Sequence, residues 1–144
     1  MMSEIIIGIA KMGNIGSAPL IEFLLDERAE REDIDVMVVG SGSKILSKQT
    51  KRVAQQVVDM NPNLIVMTTP NASLKAPLEA MEIFKEAGIP TLVISDNPAK
   101  KAIQKIEEMG LGYIIVEPDA MIGARKEFLD PAEMAIFKLF VGSF

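Results

Sequence analysis

Short runs of aliphatic residues alternate along this chain with segments of helical periodicity, and this alternation limits its fold more than any other feature. The runs begin at Ile5 and at positions 35–39, 64–67, 91–94 and 113–116. The helical segments cover residues 18–28, 47–60, 77–87 and 99–109. Continuous apolar strands are typical of parallel sheets that are buried on both faces. We therefore predict an α/β fold, a Rossmann-like three-layer sandwich with an open parallel sheet of about five strands and helices on both faces.

The bulk composition is that of one folded globular domain. The chain has 144 residues, of which 49% are hydrophobic and 24% charged, and it shows no repeat and no linker-like tract. We therefore expect a single domain over residues 1–144. The net charge of −5 gives no reason to expect a nucleic-acid partner. Because the chain has neither a membrane-length apolar run nor a signal-peptide pattern, we expect a cytoplasmic protein without a membrane partner.

The chain contains no cysteine and no histidine. Disulfides, thiolate nucleophiles, histidine acid–base catalysis and zinc sites of the usual ligand type are therefore excluded, and we expect no bound metal. Any chemistry must use carboxylates, lysine, arginine, hydroxyl groups, backbone amides or a cofactor.

The first aliphatic run ends in a glycine-rich turn, and the first helical segment follows that turn directly. Gly13 and Gly16 would let a ligand approach the backbone closely, and the start of the helix would offer free N–H groups to an anion. The spacing matches neither the three-glycine dinucleotide fingerprint nor a Walker phosphate loop. A ligand-facing turn and a tight turn that binds nothing both fit this pattern.

In open parallel sheets, ligands bind beyond the carboxyl ends of the strands, so the segments that follow the strands are the candidate binding loops. Residues 40–44, which include Lys44, fit either a flexible turn or a cradle for a phosphate or carboxylate group. The Pro70-Asn71 pair is either a simple turn or part of a site. Near the end of the chain, Arg125 fits a ligand contact as well as a structural ion pair with Glu127 or Asp130.

Several of these segments resemble the coenzyme F420-dependent methylenetetrahydromethanopterin dehydrogenases of methanogenic archaea. The resemblance runs from about Ile5 to Phe137 and is strongest in a long segment of unusual composition. The matching segments are KMGNIG at 11–16, LDERA at 25–29, VGSGSK at 39–44, PN at 70–71, GYII at 112–115 and DAMIGARKEFLDP at 119–131.

The resemblance implies reversible hydride transfer between coenzyme F420, a dissociable co-substrate, and methylenetetrahydromethanopterin, which becomes methenyltetrahydromethanopterin. It also implies a homo-oligomer. The residues that it assigns to the coenzyme are Met12, Gly13, Asn14, Ile15, Gly16, Ser41, Gly42, Ser43, Lys44, Thr69, Pro70 and Asn71. The residues that it assigns to the tetrahydromethanopterin substrate are Asp119, Met121, Ile122 and Arg125.

The chain departs from the family pattern at three places. Family members continue into a helical region, whereas the likeness ends after Phe137. Residues 74–77 stand where the family tends to have Pro-Gly-Pro, and residues 45–47 replace a Met-Gly-Pro. Two alternatives to an active dehydrogenase are therefore a non-catalytic paralogue that binds the deazaflavin or the pterin, and a truncated fragment that depends on a partner.

Overall fold

A computed structural model describes residues 4–26, 30–96 and 102–116. The strands lie at Ile5–Lys11 (β1), Ile34–Gly40 (β2), Leu64–Thr69 (β3), Thr91–Asp96 (β4) and Gly112–Val116 (β5). The helices lie at Ser17–Asp26 (α1), Ser47–Asp59 (α2), Lys75–Glu86 (α3) and Ile103–Glu108 (α4). Each apolar run of the sequence therefore forms a strand, and a helix separates each pair of consecutive strands.

The five described strands form one parallel sheet in the order β2-β1-β3-β4-β5. β1 lies between β2 and β3, pairing Lys11 with Gly40 on one side and with Thr68 on the other. The chain first moves outward to β2 and then crosses back to add β3, β4 and β5 on the opposite side. Because parallel crossovers share one hand, this reversal places α1 on one face and the later helices on the other. The predicted α/β fold is confirmed.

The main core lies between the sheet and α2, α3 and α4. Val57 of α2, Phe84 of α3 and Ile106 of α4 are fully buried against Met67 and Val93 of the central strands. In β3, Ile65 and Met67 both face this core, as the two-residue period of a strand requires. The core therefore joins elements from most of the described chain.

A second, smaller apolar cluster lies on the opposite face of the sheet. Ile9, Val66 and Ile94 form its buried centre, and Ile21 and Leu25 of α1 pack against it. These two residues are four positions apart, so one side of α1 faces the sheet. α1 begins at Ser17, shortly after β1 ends, and runs back along the sheet. Its first residues therefore lie near the carboxyl end of β1.

The prediction that every strand is buried on both faces is wrong for β2. Met37 and Val38 point to opposite faces of this strand, and their side chains are 41% and 44% exposed. Among the described strands, β2 lies at one edge of the sheet and pairs with β1 alone. An edge strand receives less cover than a central one, and the sequence pattern does not distinguish the two positions.

Within the three described ranges, no helix is long and apolar enough to cross a membrane.

Candidate functional site

The segments that follow β1, β2 and β3 meet at the carboxyl edge of the sheet. Gly13, after β1, is buried and has a φ angle of +87°. A Cβ atom added to Gly13 would lie 2.7 Å from Cδ1 of Ile45, after β2, and 3.0 Å from Cδ of Pro70, after β3. The three predicted binding loops are therefore in contact around one glycine that has no room for a side chain.

Hydrogen bonds join the first two of these loops. The N–H of Gly13 donates to Oγ of Ser41 at 3.1 Å, and the Ser41 hydroxyl donates to the carbonyl oxygen of Lys11 at 3.4 Å. The backbone N–H of Ser41 donates to the same carbonyl at 2.9 Å. The Gly13 amide and the Ser41 hydroxyl thus bond to each other, and these bonds hold the two loops together.

Five of the residues predicted to bind the coenzyme are exposed at this edge. They lie in the loops after β1 and β2: Asn14, Gly16, Gly42, Ser43 and Lys44. Gly42 has a φ angle of +68°, and no atom lies within 4 Å of the position where its Cβ would be. These residues are the ones best placed to contact a ligand directly.

The other predicted residues are less accessible. Ser41, Pro70 and Asn71 are half-buried, whereas Met12, Gly13, Ile15 and Thr69 are buried. The N–H of Met12 also donates to the carbonyl oxygen of Thr68 at 2.8 Å, so it prolongs the pairing between β1 and β3. In this conformation, the side chains of Met12, Ile15 and Thr69 are buried in the protein and are not open to a ligand.

The predicted ends of the third strand, at residue 67, and of the fourth strand, at residue 94, are both wrong. β3 continues through Thr69, and β4 continues through Asp96. Thr69 pairs with Ser95, and both side chains are fully buried. The polar residues at these strand ends look like turn residues in sequence, but pairing with the neighbouring strand keeps them extended.

The loop after β3 is fixed by its own side chains and by β4. The N–H of Asn71 donates to Oγ1 of Thr69 at 3.4 Å, and Oδ1 of Asn71 accepts the N–H of Ser73 at 3.0 Å. The N–H of Ala72 donates to Oγ of Ser95 at 3.0 Å. In the sequence, Ser95 reads as part of the turn after the fourth strand, and its role is not visible there because its partner lies 23 positions away.

Charges of both signs lie near this edge. The ammonium group of Lys11 lies 3.4 Å from a carboxylate oxygen of Glu22 in α1, and both side chains are partly exposed. Burial raises the pKa of the Asp96 carboxyl, at the end of β4, above its usual value. Lys44 is exposed in the loop after β2. The edge therefore combines a cation, hydroxyl and amide groups, and a carboxyl group that is protonated more readily than usual.

The four residues predicted to bind the substrate, Asp119, Met121, Ile122 and Arg125, lie outside the described residues. In the part of the chain that is described, no group of three or more carboxylate, imidazole or thiol side chains is arranged to hold a metal ion. The exposed polar residues of the loops after β1 and β2 make this edge suited to a polar organic ligand.

The fold is that of a doubly wound α/β domain, a class that binds its ligands at this edge of the sheet. A sequence model of the methylene-5,6,7,8-tetrahydromethanopterin dehydrogenase family matches residues 5–141. The chain therefore belongs to this family, which confirms the resemblance described above.

Known proteins of this family resemble the chain over one half of their length. The F420-dependent methylenetetrahydromethanopterin dehydrogenase of Archaeoglobus fulgidus is 51% identical over 131 residues, which make up 91% of this chain and 47% of that protein. The enzyme of the same name from Methanosphaera stadtmanae is 50% identical over 131 residues, with 91% and 48% covered. The chain thus spans about half the length of the curated relatives it matches.

A solved structure shows the same fold. It is an F420 dependent methylene-tetrahydromethanopterin dehydrogenase in complex with methylene-tetrahydromethanopterin and coenzyme F420. The two chains superpose with a TM-score of 0.78 at 39% sequence identity, over 95% of this chain and 50% of the other.

Proposed function

We propose that this chain provides the α/β part of a coenzyme F420-dependent methylenetetrahydromethanopterin dehydrogenase. The observation that carries the proposal is the family match over residues 5–141, because it includes all three loops that meet around Gly13. A related protein of the same fold was solved with both organic ligands. The reaction is the reversible transfer of a hydride from the methylene carbon of the substrate to the coenzyme, which leaves the methenyl cation.

The residues of the carboxyl edge fit a polar co-substrate. Asn14 and Ser43 are exposed and offer hydrogen-bond donors, and Lys44 offers a positive charge in the same group of loops. The protein's task in such a reaction is to hold two organic molecules in the correct relative position, which can supply a large part of the rate enhancement. Residues 119–125, through Asp119, Met121, Ile122 and Arg125, stay our predicted contacts to the pterin.

Other predictions for this protein rest on the family resemblance and on composition. We expect it to form a homo-oligomer in the cytoplasm, and we expect no nucleic-acid or membrane partner. The alternative function is a paralogue that binds the deazaflavin or the pterin without turnover, or a fragment that needs a partner. The reduction of bound coenzyme distinguishes the two proposals, since only an active dehydrogenase reduces it.

The first test is an equilibrium titration of the purified chain with coenzyme F420, followed by addition of methylenetetrahydromethanopterin to the same sample. Saturable binding with loss of the absorbance of the oxidised deazaflavin is the expected result. Binding without reduction would instead support the non-catalytic alternative. Failure to bind either molecule would contradict both an active dehydrogenase and a ligand-binding paralogue, and would favour a fragment that needs a partner.

Lys44→Met is the variant that tests where the coenzyme binds. Loss of one exposed charge-assisted contact should raise the Kd for the coenzyme about threefold to tenfold. Lys85→Met is the matched control, because Lys85 is exposed in the last turn of α3, at the opposite end of the sheet from the site. Equal effects of the two substitutions would mean that general charge, rather than a contact at this edge, determines affinity.

A further inference from the structure

A buried serine of β4 holds the loop that follows β3. The hydroxyl oxygen of Ser95 accepts the N–H of Ala72 at 3.0 Å, and the hydroxyl donates to the carbonyl oxygen of Asp96 at 3.3 Å. Ser95 and Ala72 both have no exposed surface. Water cannot replace this partner without a local opening, so removal of the hydroxyl leaves a buried amide without an acceptor.

This bond belongs to a series that follows the spatial order of the strands. The hydroxyl of Ser41, after β2, accepts the amide of Gly13, after β1. The amide of Met12 donates to Thr68 of β3. The hydroxyl of Ser95, in β4, then accepts the amide of Ala72, after β3. Hydrogen bonds thus link the carboxyl ends of neighbouring strands in the spatial order β2, β1, β3, β4.

The segment that Ser95 holds carries Asn71 at the site. Oδ1 of Asn71 accepts the N–H of Ser73 at 3.0 Å and also accepts the hydroxyl of the same residue. These bonds fix the oxygen side of the carboxamide toward the protein. Among the described residues, the nitrogen side of this carboxamide has no acceptor, and Asn71 is only half-buried. Its two N–H groups are therefore available to an acceptor atom of a ligand.

We propose that Ser95 is a positioning residue, which acts through the Ala72 amide to aim the carboxamide of Asn71 at a carbonyl, carboxylate or phosphate oxygen of the bound ligand. The inference rests on the function proposed above and adds a specific role for a residue of β4. Ser95 itself touches no ligand, because its side chain is fully buried. It contributes by reducing the number of conformations that the loop must lose on binding.

The test compares Ser95→Ala with Thr91→Val. Thr91 lies in the same strand and its hydroxyl donates to the carbonyl of Ile89 at 3.0 Å, but it is at the amino end of β4, away from the site. Amide hydrogen exchange at Ala72 should become about tenfold faster or more in Ser95→Ala and stay unchanged in Thr91→Val. The Kd for coenzyme F420 or for methylenetetrahydromethanopterin should rise about tenfold in Ser95→Ala only.

Asn71→Asp shows whether Ser95 acts through Asn71. This change keeps an oxygen that can accept from Ser73 and removes the two N–H donors. Addition of Ser95→Ala to Asn71→Asp should cause no further loss of affinity, whereas two independent contributions would multiply. Multiplying effects, unchanged exchange at Ala72, or an equal loss of affinity in Thr91→Val would each overturn the inference.

The same experiment separates this inference from the proposed function. A wild-type chain that binds neither ligand would overturn the proposed function, and the ligand role of Ser95 with it. A wild-type chain that binds, together with unchanged affinity in Ser95→Ala, would overturn the role of Ser95 alone.

Discussion

Gly13 is the residue on which the geometry of the candidate site depends most. Its φ angle of +87° lies in the left-handed region, which costs other residues free energy. Its missing side chain also leaves the space that Ile45 and Pro70 occupy, with Cγ1 of Ile45 only 2.8 Å from the position of a Cβ. One glycine thus satisfies a conformational and a steric requirement together, and the three loops can meet because of it.

Gly13→Ala and Gly42→Ala separate these two requirements. Both glycines have positive φ angles, but a Cβ at Gly42 would meet no atom within 4 Å. We expect Gly42→Ala to lower the free energy of unfolding by about 1 kcal/mol, the cost of the left-handed conformation alone. Gly13→Ala should lower it by about 1–3 kcal/mol more, since the side chains of Ile45 and Pro70 must move.

Urea denaturation of the two variants and the wild type measures this difference. Equal losses of stability would show that the loops after β2 and β3 move away from Gly13 without cost. This result would contradict the tight packing described at this edge.

At the scale of the elements, α1 and α3 bury different amounts of their apolar surface. In α3, the apolar residues lie on one face, and Phe84 is fully buried in the main core. In α1, Ile21 and Leu25 face the sheet, while Leu20, Phe23 and Leu24 point outward with exposures of 55–66%. Both segments read as helices in sequence, but only the packing shows which apolar residues contribute to stability.

Phe84→Ala and Phe23→Ala provide a matched pair for this difference. Loss of the buried ring should lower the free energy of unfolding by about 3–5 kcal/mol, because it removes apolar contacts and leaves a cavity. Loss of the ring that is 66% exposed should change it by less than about 0.5 kcal/mol.

Thermal or chemical unfolding followed by circular dichroism gives both values. A cost of several kcal/mol for Phe23→Ala would indicate that the outer face of α1 is covered in solution, for instance in the homo-oligomer that the family resemblance predicts.

At the scale of the whole molecule, the sheet connects all the described helices. The only tyrosine of the chain, Tyr113, lies in β5 at one end of the sheet, and the chain has no tryptophan. Its hydroxyl donates to a carboxylate oxygen of Glu107 at 2.9 Å. Tyrosine fluorescence therefore reports on one edge strand, whereas the far-ultraviolet circular dichroism reports on the helices.

If the chain is a single domain, as predicted, these two signals should follow the same unfolding transition. We expect fluorescence and circular dichroism to give one transition with the same midpoint in urea, since a cooperative domain unfolds without populated intermediates. Two separate midpoints would mean that β5 and its surroundings unfold independently of the rest, and the chain would then contain more than one folding unit.

The sequence predicted the architecture because the signals that define it are local. Apolar runs and helical periodicity give strands and helices within a few residues, and the order of these elements requires a parallel sheet with crossovers. The predicted boundaries failed where the deciding interaction was distant. Thr68 and Thr69 read as loop residues, but pairing with β1 and β4 keeps them in β3. The exposure of β2 also depends on its place in the sheet, which no local pattern contains.

For the site, the sequence alone predicts which loops lie at the carboxyl edge, because each follows an apolar strand. Which polar groups in those loops are free for a ligand depends on contacts between distant parts of the chain. Ser41 and Gly13 are 28 positions apart and bond to each other, as do Ser95 and Ala72 at 23 positions. Lys44 and Ser43 remain exposed. The reason is physical: a hydrogen-bonding group engaged inside the protein and one facing solvent have the same chemistry, and only the fold brings the partner within reach.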